Sequence, residues 1–246
     1  MNAEQLREQI FHVSGETFEP VALEIFRYQY SANKVYRDYC ELTGVSETAV
    51  FSSNEIPFLP IEFFKTHRIV SGNCEAQKLF SSSGTTGQQT SRHYVCDLKL
   101  YEESFLRCFE KFFGPPAQYS ILALLPSYLE RNDSSLVYMV EGLMKQSSDH
   151  EHGFFLHDYE KLSASLLSLE KKTDKTMLIG VSFALLDPST GAQEASEAGV
   201  VHGFSSLPCF SESAYTRGVY HQTAARNPTF ADCLSQRSES RGQQQP

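Results

Sequence analysis

The sequence predicts an α/β fold: a layered, mostly parallel sheet with flanking helices. Apolar runs of strand length, almost unbroken, stand at residues 119–125 and 177–181. Such runs are typical of strands that are buried on both faces of a sheet. Segments with helical periodicity separate these runs, and strands that alternate with helices favour parallel pairing.

The N-terminal part of the chain predicts helices. Phe26 and Tyr30 recur at i and i+4, which places both rings on one helix face. Gly44 is suited to end a helix, and Ser46 is suited to begin the next one. The two prolines of residues 56–61, IPFLPI, exclude an interior helix. We therefore expect an extended, partly buried connector there.

A short strand at residues 78–80 is predicted to enter a loop of Ser, Gly and Thr residues. Asp97 then caps a helix, which the sequence Gly114-Pro115-Pro116 ends. The apolar face of this helix consists of Tyr101, Phe105, Cys108, Phe109 and Phe112. We interpret its phenylalanine stripe as core packing, although periodicity alone does not separate core from an acyl tunnel.

The same alternation continues to about residue 181. Residues 119–125 predict a strand, and Asp133 or Ser134 caps a second helix. The buried side of that helix consists of Leu136, Val140, Leu143 and Met144. A short strand at 154–156, a third helix over 159–169 and a buried strand at 177–181 complete the pattern.

Residues 188–246 differ from the rest of the chain. They are rich in Ser, Gly, Ala and Gln, show no clear period, and follow the last lysine, Lys175. We expect one structured region over residues 1–187 and a poorly ordered tail over 188–246. An alternative is that a longer gene is read out of frame from about residue 188.

Composition excludes several classes of function. The formal net charge of −9 argues against nucleic-acid binding. No apolar run approaches the ~20 residues of a membrane span, and the polar start of the chain does not resemble a secretory signal. We therefore expect a soluble, cytoplasmic protein with free thiols. The cysteines are Cys40, Cys74, Cys96, Cys108, Cys209 and Cys233.

The strongest candidate site is the loop at residues 82–87. Its members are Ser82, Ser83, Gly84, Thr85, Thr86 and Gly87. Glycines allow close approach of the backbone to a ligand, and successive backbone N–H groups and four hydroxyls can donate to phosphate oxygens. It is not a Walker A loop, because no Lys follows Gly87 directly. The alternative is a solvated turn, since Ser/Gly turns are common.

Three blocks in order resemble the adenylate-forming superfamily, and most closely LuxE-type acyl-protein synthetases, which are related to phenylacetate-CoA ligases. The first block is IPFLPIEFFK at residues 56–65. The second is FSSSGTTGQQTSRH at 80–93. The third is LPSYLER at 125–131, followed by SSLV at 134–137, and the strand LIGVSF at 178–183 also fits. The resemblance covers about residues 15–187.

The resemblance implies the N-terminal domain of the adenylate-forming fold and an acid–thiol ligase reaction. A fatty carboxylate attacks the α-phosphate of ATP with Mg²⁺, and the acyl group of the acyl-adenylate then passes to a thiol of an acceptor protein or carrier. Residues 82–87 would hold the β- and γ-phosphates, with Arg92 and His93 near the anionic region. Surface exposure is the alternative for both of these residues. Pro126, Tyr128 and Ser182 would contact the acid.

The sequence also departs from the superfamily pattern. Gln89 and Thr90 stand where many members have Pro-Lys, which favours the LuxE branch. The later Tyr-Gly-x-Thr-Glu block, the ribose-binding Asp and the lid domain are not recognisable after residue 187, and neither late cysteine has an acyl-acceptor context. We therefore expect this form to be poorly active, and a non-catalytic nucleotide-binding remnant is a further alternative.

Two other patterns suggest different chemistry. Ser182, after an apolar strand, approaches the nucleophile elbow of a serine hydrolase, with His202 or His221 as base, but the final glycine is missing. A second pattern, a histidine-rich segment, consists of His150, Glu151, His152 and His157. It fits no common zinc spacing, so we interpret it as a polar loop and predict no metal site.

Overall fold

The computed structural model describes residues 2–82, 89–125, 132–147, 152–155, 158–170 and 175–180. The chain divides into two units that interleave along the sequence. Unit 1 comprises Met1–Phe109 and Arg131–Met139, and unit 2 comprises Glu110–Glu130 and Val140–Pro246. The predicted boundary at residue 187 lies outside the described residues.

Unit 1 begins with three helices: α1 (Ala3–Ile10), α2 (Phe18–Ala32) and α3 (Lys34–Leu42). Asn2 and Gln5 form a reciprocal capping box at the start of α1. Gly44, with φ of +79°, follows α3 and confirms the predicted helix stop. Ser46 begins only a 3₁₀ turn, Glu47–Ala49, and a second turn follows at Ser53–Glu55.

A small aromatic core holds α2 and α3 together. Its buried members are Phe26, Tyr36, Cys40 and Val50. The Phe26 and Tyr30 rings lie 6.0 Å apart, as the i, i+4 pattern predicted. Ile56 and Leu59 of the connector pack against this core, whereas Phe58 is exposed. The expectation of an extended, partly buried connector is therefore confirmed.

The rest of unit 1 forms a hairpin and the first parts of two helices. After the short helix α4 (Phe63–Thr66), strands β1 (Lys78–Ser81) and β2 (Arg92–Val95) pair antiparallel, with Lys78 opposite Val95 and Ser81 opposite Arg92. Helix α5 (Leu98–Phe113) starts where the Asp97 carboxylate accepts from Leu100 N at 3.1 Å, so the predicted cap is confirmed. The hairpin partner β2 was not predicted.

Unit 2 contains the parallel sheet that the sequence predicted. After a 3₁₀ turn at Pro116–Gln118, the central strand β3 (Tyr119–Leu124) is buried throughout. Strands β4 (Gly153–Phe154) and β5 (Lys175–Gly180) pair with it in parallel, in the order β4-β3-β5. A leucine-rich cluster joins the sheet to helix α7 (Tyr159–Glu170). Its buried residues are Leu122, Leu124, Phe155, Leu162, Leu166, Leu169 and Leu178.

Two helices run across the division between the units. Helix α5 is followed directly by Gly114, whose φ is +86°. Helix α6 (Ser135–Gln146) begins where Ser134 Oγ accepts from Val137 N at 3.3 Å, which selects Ser134 over Asp133 as the cap. The predicted core face of α5 is right for Phe105 and Phe109 but wrong for Phe112, which is 52% exposed.

The expectation that all cysteines are free thiols was wrong for one pair. Cys74 and Cys96 form a disulfide, with their Cα atoms 5.9 Å apart. Spacing along the chain could not reveal this pair, because the hairpin that brings the two residues together was not predicted. Cys40 and Cys108 are free, and Cys209 and Cys233 lie outside the described residues.

Among the helices that the structure describes, none is both long and apolar enough for a bilayer crossing.

Candidate functional site

The candidate site is built on the hairpin β1–β2, because residues 82–87 lie between its strands in the sequence. Ser82 is described, whereas Ser83, Gly84, Thr85, Thr86 and Gly87 lie outside the described residues. Ser82 N donates to Ser91 O at 3.1 Å, and Ser91 N donates to Ser82 Oγ at 3.0 Å. These two hydrogen bonds close the neck of the hairpin, so the segment that connects the strands enters and leaves at one place.

Strand geometry separates the two residues predicted to face phosphate. Arg92 and His93 are consecutive in β2, so their side chains project from opposite faces of the hairpin. Both side chains are exposed. Arg92 stands opposite Ser81, at the neck end of the hairpin. His93 stands opposite Phe80, one position further from the neck.

His93 belongs to a group of aromatic rings on one face of the hairpin. Its ring centroid lies 6.2 Å from that of Phe64 and 6.4 Å from that of Tyr101. The Phe80 ring lies 5.1 Å from Tyr101 and 5.4 Å from Tyr138. We call these five residues the ring cluster. It fixes one face of the hairpin against α4, α5 and the start of α6.

Desolvation by the ring cluster shifts the pKa values of two side chains, His93 and Tyr101. It lowers the pKa of His93, because an imidazolium loses hydration among rings. His93 is nevertheless exposed as a residue, so this desolvation is partial. Burial also raises the pKa of Tyr101 to about 12, against a smaller opposing hydrogen bond from Ser135. The neutral forms of both side chains are therefore favoured near neutral pH.

Polar contacts tie the same face to the helices. Tyr138 Oη donates to Glu102 Oε1 at 2.5 Å. The Lys78 ammonium lies 5.6 Å from the centroid of the Tyr138 ring, and Ser81 N donates to Asp133 O at 3.0 Å. Sequence analysis missed Lys78, Glu102 and Tyr138 as parts of the site. The only available signal was that Tyr138 falls just after the third sequence block.

A groove of about 720 Å³ lies beside the hairpin. The Arg68 guanidinium stands 5.1 Å from the centroid of the Tyr94 ring, which belongs to the hairpin face opposite His93. The residues that line the groove are Arg68, Glu75, Ala76, Gln77, Lys78, Leu79, Tyr94, Asn132 and Asp133. Both signs of charge occur along its wall, so its charge does not select for anions alone.

The first two sequence blocks and the residue that directly follows the third block meet in this part of unit 1. Phe64, from the first block, contacts His93 of the second. Phe80, which opens the second block, contacts Tyr138, which directly follows the third. Residues far apart in sequence thus support a single hairpin.

Comparison with known proteins finds matches to the same part of the chain. Residues 10–107 match the family model described as "Acyl-protein synthetase, LuxE". Residues 10–107 are therefore similar to LuxE-type acyl-protein synthetases. The match includes the connector, the hairpin and most of α5, and therefore contains the whole second block.

Two curated relatives match shorter parts of the chain. A "Long-chain-fatty-acid--luciferin-component ligase" of Vibrio harveyi is 38% identical over 63 residues, which are 25% of this chain and 16% of the relative. A protein of the same name from Photorhabdus luminescens is 34% identical over 68 residues, which are 27% of this chain and 58% of the relative. The matched stretches thus span less than two thirds of either relative. No solved structure matches the chain significantly.

The other residues singled out from the sequence have no described placement. Pro126, Tyr128, Ser182, His202 and His221 all lie outside the described residues. So do His150, Glu151 and His157 of the histidine-rich segment, whereas His152 is described and exposed. Within the described ranges, no group of three or more His, Cys, Asp or Glu residues is arranged to hold a metal ion.

Proposed function

We propose that this chain is part of an ATP-dependent ligase that activates a fatty carboxylic acid as an acyl-adenylate and transfers the acyl group to a thiol. The observation that carries the proposal is the closed neck of the hairpin, Ser82 to Ser91, inside the region that matches LuxE. The two relatives are named as fatty-acid ligases. Those names favour ligase chemistry over a hydrolase that uses Ser182.

In the first half-reaction, a carboxylate oxygen attacks the α-phosphorus of ATP and pyrophosphate leaves. Both reactants are anions, so the site must offset their charge. In our proposal, the backbone N–H groups and hydroxyls of residues 82–87 hold the β- and γ-phosphates. Arg92, exposed at the neck end of β2, supplies a positive charge on one face of the hairpin.

We assign His93 to the opposite face, where the neutral imidazole can donate or accept a hydrogen bond. Mg²⁺ would be held partly by the phosphate oxygens of the nucleotide itself, as is usual in sites that bind a nucleotide with this ion. In our proposal, Pro126, Tyr128 and Ser182 contact the acid.

In the second half-reaction, a thiolate attacks the acyl carbon and AMP leaves. The acceptor in our proposal is a cysteine of a partner protein or a carrier thiol. The hairpin and ring cluster would belong to the N-terminal domain of an adenylate-forming fold. The most direct test measures only the first half-reaction, because that step needs no acceptor.

The experiment is acid-dependent exchange of labelled pyrophosphate into ATP by the full chain, with saturated fatty acids of short, medium and long chain. We expect exchange that requires both acid and Mg²⁺. Thr86→Val, which removes one loop hydroxyl without changing shape, should lower the exchange rate by roughly tenfold if the hydroxyl contacts phosphate in the transition state. Thr48→Val, at an exposed hydroxyl in the Glu47–Ala49 turn, is the matched control and should exchange normally.

Two outcomes would count against the proposal. Equal exchange rates for Thr86→Val and Thr48→Val would show that the Thr86 hydroxyl does not contact phosphate, which would count against the loop as the phosphate site. Failure to exchange with every acid, together with no heat of binding for MgATP in calorimetry, would reject the ligase assignment. Binding without exchange would instead favour the alternative of a non-catalytic nucleotide-binding protein.

A further inference from the structure

The disulfide closes the end of the hairpin opposite to its neck. Cys74 precedes β1, and Cys96 directly follows β2. Between the disulfide and the first strand pair, Gln77 N donates to Val95 O at 2.8 Å. The hairpin is therefore held covalently at one end, whereas the Ser82–Ser91 hydrogen bonds close the other.

Neither cysteine of the disulfide is fully buried. Cys74 and Cys96 are half-buried, and the neighbours of Cys74, Asn73 and Glu75, are exposed. Gly72, with φ of +68°, turns the chain just before them. Thiol–disulfide exchange needs the approach of a thiolate to one sulfur. A fully buried disulfide would not allow this approach, whereas the partial exposure of Cys74 and Cys96 is compatible with it.

The disulfide matters because the hairpin is short. Its two strands have four residues each, and an isolated two-stranded hairpin is marginally stable at best. Some restraints do not depend on the disulfide: Gln77 Oε1 accepts from Leu98 N at 2.8 Å, and the ring cluster holds one face. Reduction should therefore loosen the disulfide end of the hairpin without unfolding unit 1.

We propose that Cys74 and Cys96 form a reversible redox site that controls the rigidity of the hairpin and, through it, the affinity for nucleotide. The second part rests on the proposed function. Reduction uses a low-molecular-weight thiol: its thiolate attacks one sulfur, the S–S bond breaks, and the other cysteine leaves as a thiolate. A second low-molecular-weight thiolate then displaces the first cysteine. The products are two protein thiols and one low-molecular-weight disulfide, with two electrons and two protons transferred to the protein.

Oxidation is the reverse reaction and uses a low-molecular-weight disulfide as the oxidant. In the oxidised state the hairpin is held at both ends, so Ser82 and Ser91 are held firmly at its neck. In the reduced state the ends of β1 and β2 near the cysteines separate more often. Fewer molecules then present the arrangement that binds nucleotide, so the apparent affinity falls in proportion.

The experiment compares the oxidised and reduced forms of the full chain. Peptide mapping establishes whether Cys74 and Cys96 are linked. Hydrogen exchange is followed on peptides that cover residues 75–82 and 89–96, and MgATP is titrated by calorimetry. We expect faster exchange in both peptides after reduction, and a rise in the dissociation constant of roughly fivefold, the lower end of common coupling strengths.

Cysteine variants test whether the redox response comes from Cys74 and Cys96. Cys74→Ser and Cys96→Ser should each behave as the reduced protein and lose their response to oxidant. Cys108→Ser is the matched control, because Cys108 is a free thiol on α5, and it should keep the full redox response. If Cys108→Ser lost the response, the assignment to Cys74 and Cys96 would be wrong.

The remaining outcomes separate this proposal from the proposed function. Unlinked cysteines under oxidising conditions, or identical hydrogen exchange in linked and reduced protein, would overturn the redox site. So would equal nucleotide affinity in both states. If MgATP bound to neither state, the proposed function would fall, and the hydrogen-exchange comparison would still decide whether the disulfide controls the hairpin.

Discussion

Ser82 and Ser91 exchange two hydrogen bonds across the neck of the hairpin, and only one of the two serine side chains takes part. Ser82 uses its backbone N–H and its Oγ, whereas Ser91 uses only backbone atoms. The two serines can therefore be compared as a test residue and its control. Variants of these two serines therefore test whether closure of the neck strengthens ligand binding at residues 82–87.

Ser82→Ala removes the acceptor of the Ser91 N–H and should destabilise the neck by about 1 kcal/mol, the usual net value of one hydrogen bond. The amide of Ser91 should exchange faster with solvent, and MgATP should bind roughly fivefold more weakly. Ser91→Ala keeps both hydrogen bonds and should match the unmodified protein. Equal nucleotide affinities for the two variants would show that the Ser82 hydroxyl is not needed at the neck.

Tyr138 and Glu102 connect the start of α6 to α5 on the ring-cluster face. Tyr138→Phe keeps the ring contacts with Phe80 and Tyr101 but removes the hydroxyl. We expect a double-mutant cycle with Glu102→Gln, measured by urea unfolding, to give a coupling energy of about 1 kcal/mol. Additive effects would mean that the hydrogen bond contributes nothing to stability. Since the same face carries His93, Tyr138→Phe should also shift the imidazole resonances.

The environment of His93 makes stability depend on pH in a definite direction. Desolvation lowers its pKa in the folded state below the ordinary value of 6.5. Between these two values the unfolded chain binds more protons than the folded chain, so stability falls as the pH drops below 6.5. The fall levels off once the pH is below the folded-state pKa.

Two measurements check this expectation. NMR titration of His93 should give a midpoint below 6.5, and Tyr101→Ala, which opens one side of the ring cluster, should move that midpoint upward. His93→Gln should reduce the loss of Tm on mild acidification. A midpoint for the unmodified protein at or above the ordinary value would contradict the desolvation that the ring contacts imply.

Local patterns predicted the elements whose signal lies within a few neighbouring residues. The β3 run was found because its residues are apolar apart from Ser120, and the structure buries all of them. The cap of α5 was found because Asp97 directly precedes an amphipathic segment. Gly44 and Gly114 were found as helix ends because a positive φ favours glycine.

Tertiary pairing accounts for what the sequence did not reveal. Strand β2 has a polar start, Arg92-His93, and becomes a strand by pairing with β1. The same pairing brings Cys74 and Cys96 close enough to form their disulfide. As consecutive residues of β2, Arg92 and His93 lie on opposite faces of the hairpin. The contact of Tyr138 with Phe80 depends on how α6 packs against the hairpin. No local period encodes such contacts.

Phe109 and Phe112 show why helical periodicity alone was insufficient. Both stand on the face of α5 that the sequence marks as apolar, but Phe109 is 1% exposed and Phe112 is 52% exposed. Phe112 lies in the last turn of α5, two residues before Gly114. At a helix end, the packing that covers the middle of the helix does not have to continue. The stripe predicted the buried side of the helix correctly, but not how far along the helix the burial continues.

The two phenylalanines therefore provide a matched pair for a test of core packing. Phe109→Ala removes a fully buried ring and should cost about 3–5 kcal/mol in the free energy of unfolding, through lost burial and the cavity left behind. Phe112→Ala deletes the same atoms from an exposed position and should change stability by roughly 0.5 kcal/mol or less. Urea denaturation of both variants measures the difference directly. If Phe112→Ala were as destabilising as Phe109→Ala, Phe112 would be packed against protein and the description of α5 would be wrong.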